Sequence, residues 1–197
     1  MKLAELSDRA RVIEIFQESY LENPHVRFLI GNRLLNNRLE RLANFVFDVG
    51  IKRNGVYLSD DLEGVVVMFP LNLLTLSFTE KITQLFMALG TFELTRMLKI
   101  LRIESRIKKS RRGNPEDLYV WFYGVSRNGA HSDTARQLMK SMFNISTDKQ
   151  VKLIAETSLS RNKLIYERFG FETYGYQQYS FPVYFMHRNP STLDAGS

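Results

Sequence analysis

Asn162-Lys163-Leu164-Ile165-Tyr166-Glu167-Arg168-Phe169-Gly170-Phe171 is the stretch whose reading decides the fold. It has the form Asn-x-x-x-Tyr-x-x-x-Gly-Phe, a helical run closed by a glycine that can take the left-handed backbone ending many helices. Just before it, residues 151–155 form a short apolar run, followed by Glu156-Thr157-Ser158. After it, residues 171–181 and 183–187 alternate as a hairpin would. The unit is therefore strand, helix, strand pair.

Working outward, residues 118–125 are rich in aromatic and β-branched side chains and predict a strand. Ala135, Leu138, Met139, Met142 and Phe143 recur at i, i+3, i+4, i+7 and i+8, the stripe of an amphipathic helix. Residues 79–109 are helical in pattern, with a hinge at Gly90 and with Leu94, Leu98 and Leu101 marking the buried side of the second half. Residues 56–58 and 64–69 read as strands joined by Ser59-Asp60-Asp61. Upstream, Leu35, Leu39, Leu42, Val46 and Val49 form one stripe that Asn54-Gly55 closes. A first helix, capped by Ser7 or Asp8, carries Ile13, Phe16 and Tyr20. Asn23-Pro24-His25 breaks the pattern, so Tyr20, His25, Arg27 and Phe28 fall in the expected loop between the first two helices. The simplest architecture is one α/β (α+β) domain over residues 1–188, a single sheet covered by helices, with a helical insert at about residues 79–110 and a loose tail at 189–197.

Composition sets the outer limits. The chain has 197 residues, 44% hydrophobic and 24% charged, which suits one globular domain. It has no cysteine, which excludes disulfides, thiolate metal sites and a cysteine nucleophile. Lys and Arg number 27 against 21 Asp and Glu, a net charge of +6 that favours anionic ligands such as phosphates. The first residues lack the apolar core of a secretory signal. The longest uncharged run, residues 64–79, contains Pro70 and falls short of the roughly 20 apolar residues of a membrane-spanning helix. A cytoplasmic protein without a membrane partner is expected. His25, His131 and His187 have no metal-ligand spacing, so no metal is expected.

The closing stretch resembles the last motif of the GNAT superfamily of acyl-CoA-dependent N-acyltransferases. Pro115-Glu116-Asp117-Leu118-Tyr119-Val120-Trp121-Phe122-Tyr123-Gly124-Val125 is similar to that family's fourth strand. The insert before it resembles the branch that includes puromycin N-acetyltransferase-like proteins. The likeness runs from about residue 55 to 185. It implies a mixed, mostly antiparallel sheet splayed between the fourth and fifth strands. In that gap the pantetheine arm of acetyl-CoA pairs with the fourth-strand backbone, here Phe122, Tyr123, Gly124 and Val125. It further implies that an amine of a small molecule or peptide attacks the thioester directly, that a backbone N–H of this strand steadies the oxyanion, that Tyr166 protonates the departing thiolate, and that Asn162 holds the cofactor arm. Taken without the family, Asn162 is equally a helix cap and Tyr166 equally a core aromatic. A homodimer stays open.

The family's pyrophosphate loop, Val-x-Pro-x-x-Gln/Arg-x-x-Gly-x-Gly/Ala, aligns with Val125 through Ala130, His131, Ser132, Asp133 and Thr134 to Ala135. Val125 and Ala135 match. Arg127 replaces the proline, Ala130 the Gln/Arg, and Asp133 the first glycine. A carboxylate about 4–6 Å from a pyrophosphate costs on the order of 1 kcal/mol or more. At a helix N-terminus, however, Asp133 is well placed if it points away. His131, Ser132 and Thr134 remain as donors. Glu156, at the end of the fifth strand, is the first candidate for the general base, with Tyr119 and Tyr123 next. Two other readings stay open: a GNAT-fold binding or regulatory protein that no longer catalyses transfer, and nucleic-acid binding through Arg96, Lys99, Arg102 and Arg106 of the insert. Helical spacing favours a solvated face for those cations and disfavours nucleic acid.

Overall fold

A computed structural model of the chain describes residues 1–31, 35–75, 97–131 and 133–191. Gly90, Leu94, Arg96 and Ser132 lie outside the described residues, and so does the first half of the expected insert. Seven strands form one sheet: β1 (Lys2–Leu3), β2 (Val56–Leu58), β3 (Gly64–Pro70), β4 (Leu118–Val125), β5 (Leu153–Thr157), β6 (Glu172–Gln178) and β7 (Pro182–Arg188). Their order is β1-β2-β3-β4-β5-β7-β6, with every neighbouring pair antiparallel except β4–β5. The described helices are α1 (Arg9–Tyr20), α2 (Pro24–Ile30), α3 (Leu35–Lys52), α4 (Met97–Ser110), α5 (Thr134–Asp148) and α6 (Ser160–Arg168).

The two-residue period of β3 builds a core on each face of the sheet. Val65, Val67 and Phe69 face α1 and α3, packing with Val12, Ile15, Phe16, Leu39, Val46 and Phe47. Val66 and Met68 face the other way, toward Leu138, Met139 and Met142 of α5. A third cluster joins α2, α4 and the β6–β7 hairpin through Phe28, Ile100, Ile103, Ile107, Phe181 and Phe185.

Two local expectations are corrected. Asn23-Pro24 starts a helix instead of a loop. Asn23 accepts from the backbone N–H groups of His25 and Val26, and Pro24 occupies the first turn, where its missing N–H costs nothing. His25, Arg27 and Phe28 are therefore helical. In α4 the buried stripe is Ile100, Ile103 and Ile107, whereas Leu101 is 58% exposed. Isoleucines at i, i+3 and i+7 satisfy the helical period as well as the leucines do, and the hairpin contacts choose between them.

Candidate functional site

The parallel pairing of β4 with β5 runs from Leu118↔Leu153 to Val120↔Ala155 and then stops, although both strands continue. The cause lies in β4. Val67 pairs with Phe122 and Met68 with Val120, so Trp121 is an extra residue, a β-bulge that bends the strand and turns its edge. Beyond it the two strands diverge, and a cavity of about 300 Å³ lies beside the divergence. Its walls include Tyr20, Trp121, Phe122, Glu156, Asn162 and Tyr166.

Tyr166 and Asn162 stand one turn apart on α6. Leu159 is the N-cap of that helix, so Asn162 lies inside the first turn and is not the cap. Gly170 ends the helix with φ +83°, and the backbone N–H of Phe171 returns to the Tyr166 carbonyl at 3.0 Å. This turn packs the Tyr166 ring against Phe171, with centroids 5.5 Å apart. The Tyr166 hydroxyl has no hydrogen-bond partner among the described residues. Burial, followed by the neighbouring phenols of Tyr20 and Tyr123, holds its pKa well above the ordinary tyrosine value. The group keeps its proton at neutral pH and can donate it.

Glu156 lies on the same cavity with both oxygens engaged. Arg111 donates from Nε to Oε1 at 2.6 Å and from Nη2 to Oε2 at 3.0 Å, and the Tyr119 hydroxyl donates to Oε2 at 3.1 Å. The pair is nearly closed from solvent, with side chains 13% and 12% exposed. Arg111 follows Lys108 and Lys109 in a basic run of the sequence, yet its side chain turns inward, over the ring of Tyr119 at 4.0 Å. A second acid–base pair, His25 Nε2 to Glu104 Oε1 at 2.6 Å, borders the same cavity. Lys99, Arg102, Arg106, Lys108 and Lys109 are exposed, as a solvated face requires.

The β4 backbone past the bulge is engaged by the end of α1. The Tyr20 hydroxyl donates to the Tyr123 carbonyl at 3.3 Å and accepts from the Tyr123 N–H at 3.4 Å. Ser19 Oγ donates to the Val125 carbonyl at 3.0 Å, and the Arg127 N–H donates to Glu18 at 2.7 Å. Tyr20 also packs its ring against Phe16 and Phe122, at 5.2 and 4.4 Å between centroids. Burial pushes its pKa up to about 12. Gly124 permits this approach: a Cβ there would meet Ser19 Oγ at 2.6 Å and Phe122 Cζ at 2.9 Å. Gly124→Ala is expected to destabilise by about 1–3 kcal/mol, the usual cost of overpacking, measured by chemical denaturation.

The loop after β4 is similarly self-satisfied. The Ser126 N–H donates to the Glu63 carbonyl, the Gly129 N–H to Ser126 Oγ, and the Ala130 N–H to the Ser126 carbonyl. The Ser126 hydroxyl donates to the Glu63 carboxylate, which Arg11 neutralises at 2.5 Å. Thr134 Oγ1 donates to Asp61 at 2.5 Å. Asp133 and Ala135 are exposed, and Asp133 pairs with Arg136 at 3.4 Å. Its carboxylate is 66% exposed, so it faces solvent instead of the loop. His131 falls in the short 3-10 turn ahead of α5. Among the described residues no group of three or more acidic or histidine side chains is placed to hold a metal, and no helix is long and apolar enough to cross a membrane.

No protein-family model matches the chain, and neither does any curated protein. Solved structures do. The chain is similar to the histone acetyltransferase HPA2 and related acetyltransferase from Corynebacterium glutamicum, at 16% identity and a TM-score of 0.63, over 98% of this chain and 97% of that one. It is similar to the C-terminal condensation domain of Ebony, solved with beta-alanyl-dopamine, at 11% identity and a TM-score of 0.67, over 94% and 96%. It is also similar to arylalkylamine N-acetyltransferase 2 from Aedes aegypti, at 13% identity and a TM-score of 0.54, over 96% and 98%. At these identities the likeness speaks for the fold, and the fold is that of the GNAT acetyltransferases.

Proposed function

We propose that the protein is an acyl-CoA-dependent N-acyltransferase that moves an acetyl group from acetyl-CoA to an amine of a small molecule or peptide. The observation that carries this reading is the early end of the β4–β5 ladder beside a protonated phenol that has no hydrogen-bond partner among the described residues, both on a shared cavity. Acetyl-CoA supplies an activated acyl group as a thioester. The Tyr123 and Val125 backbone would pair with its amide-bearing arm, Asn162 would hold that arm, and the start of α5 would face the phosphates. Tyr166 would give its proton to the sulfur as the C–S bond breaks.

On this reading the hydroxyls of Ser19 and Tyr20 hold the β4 edge until the cofactor arm replaces them. Each such exchange trades one hydrogen bond for another, and a bond of this kind is worth about 0.5–1.5 kcal/mol net. The double variant Ser19→Ala/Tyr20→Phe is therefore expected to bind acetyl-CoA about tenfold more tightly than wild type by titration calorimetry, since about 1.4 kcal/mol is a factor of ten.

A second reading has its own observation. The same α1 contacts, together with the self-satisfied loop, suit a GNAT-fold protein that binds a ligand in the cavity without acyl transfer. Failure of both wild type and the double variant to bind acetyl-CoA at millimolar concentration selects this second reading. Because the Asp133 carboxylate faces solvent, Asp133→Gly should leave acetyl-CoA affinity nearly unchanged; a large gain would count for decay of the loop.

A further inference from the structure

Two acid–base pairs border the cavity, Arg111–Glu156 and His25–Glu104. In Arg111–Glu156 both carboxylate oxygens are occupied. In His25–Glu104 the carboxylate accepts from Nε2 at 2.6 Å, which fixes the proton on that nitrogen. The lone pair of the neutral ring then resides on Nδ1, which has no hydrogen-bond partner among the described residues.

The ring is held by Glu104 and by Phe181. Phe181 stacks against it at 4.6 Å and 19°. Asn23 caps α2 immediately before it, and the Ser158 hydroxyl donates to Asn23 Oδ1 at 3.1 Å, tying α2 to the segment between β5 and α6. His25 thus borders the same cavity as Tyr166. Apolar side chains that line this cavity include Phe16, Leu42, Phe45 and Trp121.

We propose that His25, oriented by Glu104, is the base that takes a proton from the acceptor, an ammonium on an apolar body seated in this cavity. The inference rests on the acyltransferase reading. The acceptor ammonium gives one proton to His25 Nδ1, and its nitrogen forms a C–N bond to the thioester carbonyl carbon. The C–S bond breaks, and the thiolate takes the Tyr166 proton. The second nitrogen proton restores Tyr166, and His25 returns its own proton to solvent.

The charged groups facing His25 are Glu104 from α4 and Glu156 from β5, with Arg111 at the end of α4 acting on both carboxylates. Burial opposes the imidazolium, yet the Glu104 carboxylate outweighs it and holds the His25 pKa above its ordinary value. Activity should therefore fall with pH on the acid side, as His25 becomes protonated.

The test follows release of CoA from acetyl-CoA with phenethylamine as the acceptor probe, from about pH 5.5 to 9.5, beside a histidine-selective NMR titration of the same proteins. His25→Gln, compared with wild type by thermal melting, is expected to lose about 100-fold or more in kcat with the KM for acetyl-CoA kept, and to lose the acid inflection. Glu104→Gln is expected to move both the His25 resonance and the kinetic inflection to lower pH together. An unchanged kcat or inflection in His25→Gln overturns the proposal, as does a His25 resonance that ignores millimolar phenethylamine. If phenethylamine moves that resonance but no protein binds or cleaves acetyl-CoA, the amine site stands and the acyltransferase reading falls.

Discussion

Replacing Glu156 with alanine is expected to cost about 3–5 kcal/mol of stability, because it leaves the Arg111 guanidinium buried without its counter-ion. The pair is almost closed from water, and Arg111 makes two bonds to it. Tyr119, whose hydroxyl donates to the same carboxylate, also loses an acceptor. For a domain of this size each kcal/mol moves the melting point by about 2–4 °C, so a drop of roughly 10 °C is expected. The pair itself need not be strongly stabilising. The double variant Arg111→Met/Glu156→Leu should recover most of the loss, since an apolar pair of similar volume avoids the desolvation penalty of both ions. Denaturant unfolding of the single and double variants checks this. A double variant as unstable as Glu156→Ala would show that the ion pair stabilises outright.

Tyr166→Phe should behave in the opposite way, losing activity with little change in stability. The phenol makes no hydrogen bond among the described residues, and phenylalanine keeps the ring packed on Phe171, so stability should stay within about 0.5 kcal/mol. Loss of the proton donor should lower kcat by about 100-fold or more while acetyl-CoA still binds. The raised pKa adds a pH test. The proton is lost only above the ordinary tyrosine range, so wild-type kcat should show no alkaline decline from this group up to about pH 10. Full activity of Tyr166→Phe would remove the phenol from the mechanism.

Local signals were readable from the chain, and long-range polar pairing was not. The bounds of β2 and β4 follow from alternation and β-branched content, and Gly170 marks the helix end because its φ of +83° suits glycine. Tyr166 and Asn162 were found through a motif, and the structure sets both on the cavity. The pairs that charge this cavity join residues 45 and 79 positions apart, Arg111 with Glu156 and His25 with Glu104. No periodicity links such residues, and Arg111 sits in a basic run that looks like solvated surface. The signal overlooked nearer at hand was Asn23-Pro24, a cap followed by a first-turn proline, which would have put His25 on a helix. The bulge at Trp121 was likewise invisible, because it depends on the partner strand.

The strand order has a consequence for how the chain is made. β7 inserts between β5 and β6, so Pro182–Arg188 is an interior strand of the sheet although it is the last described strand in sequence. A nascent chain cannot seat β6 until β7 has left the ribosome, and until then β5 presents a bare edge to whatever strand it meets. Any premature stop before Pro182 would leave that edge permanently open, which makes such fragments candidates for chaperone capture or aggregation instead of partial function.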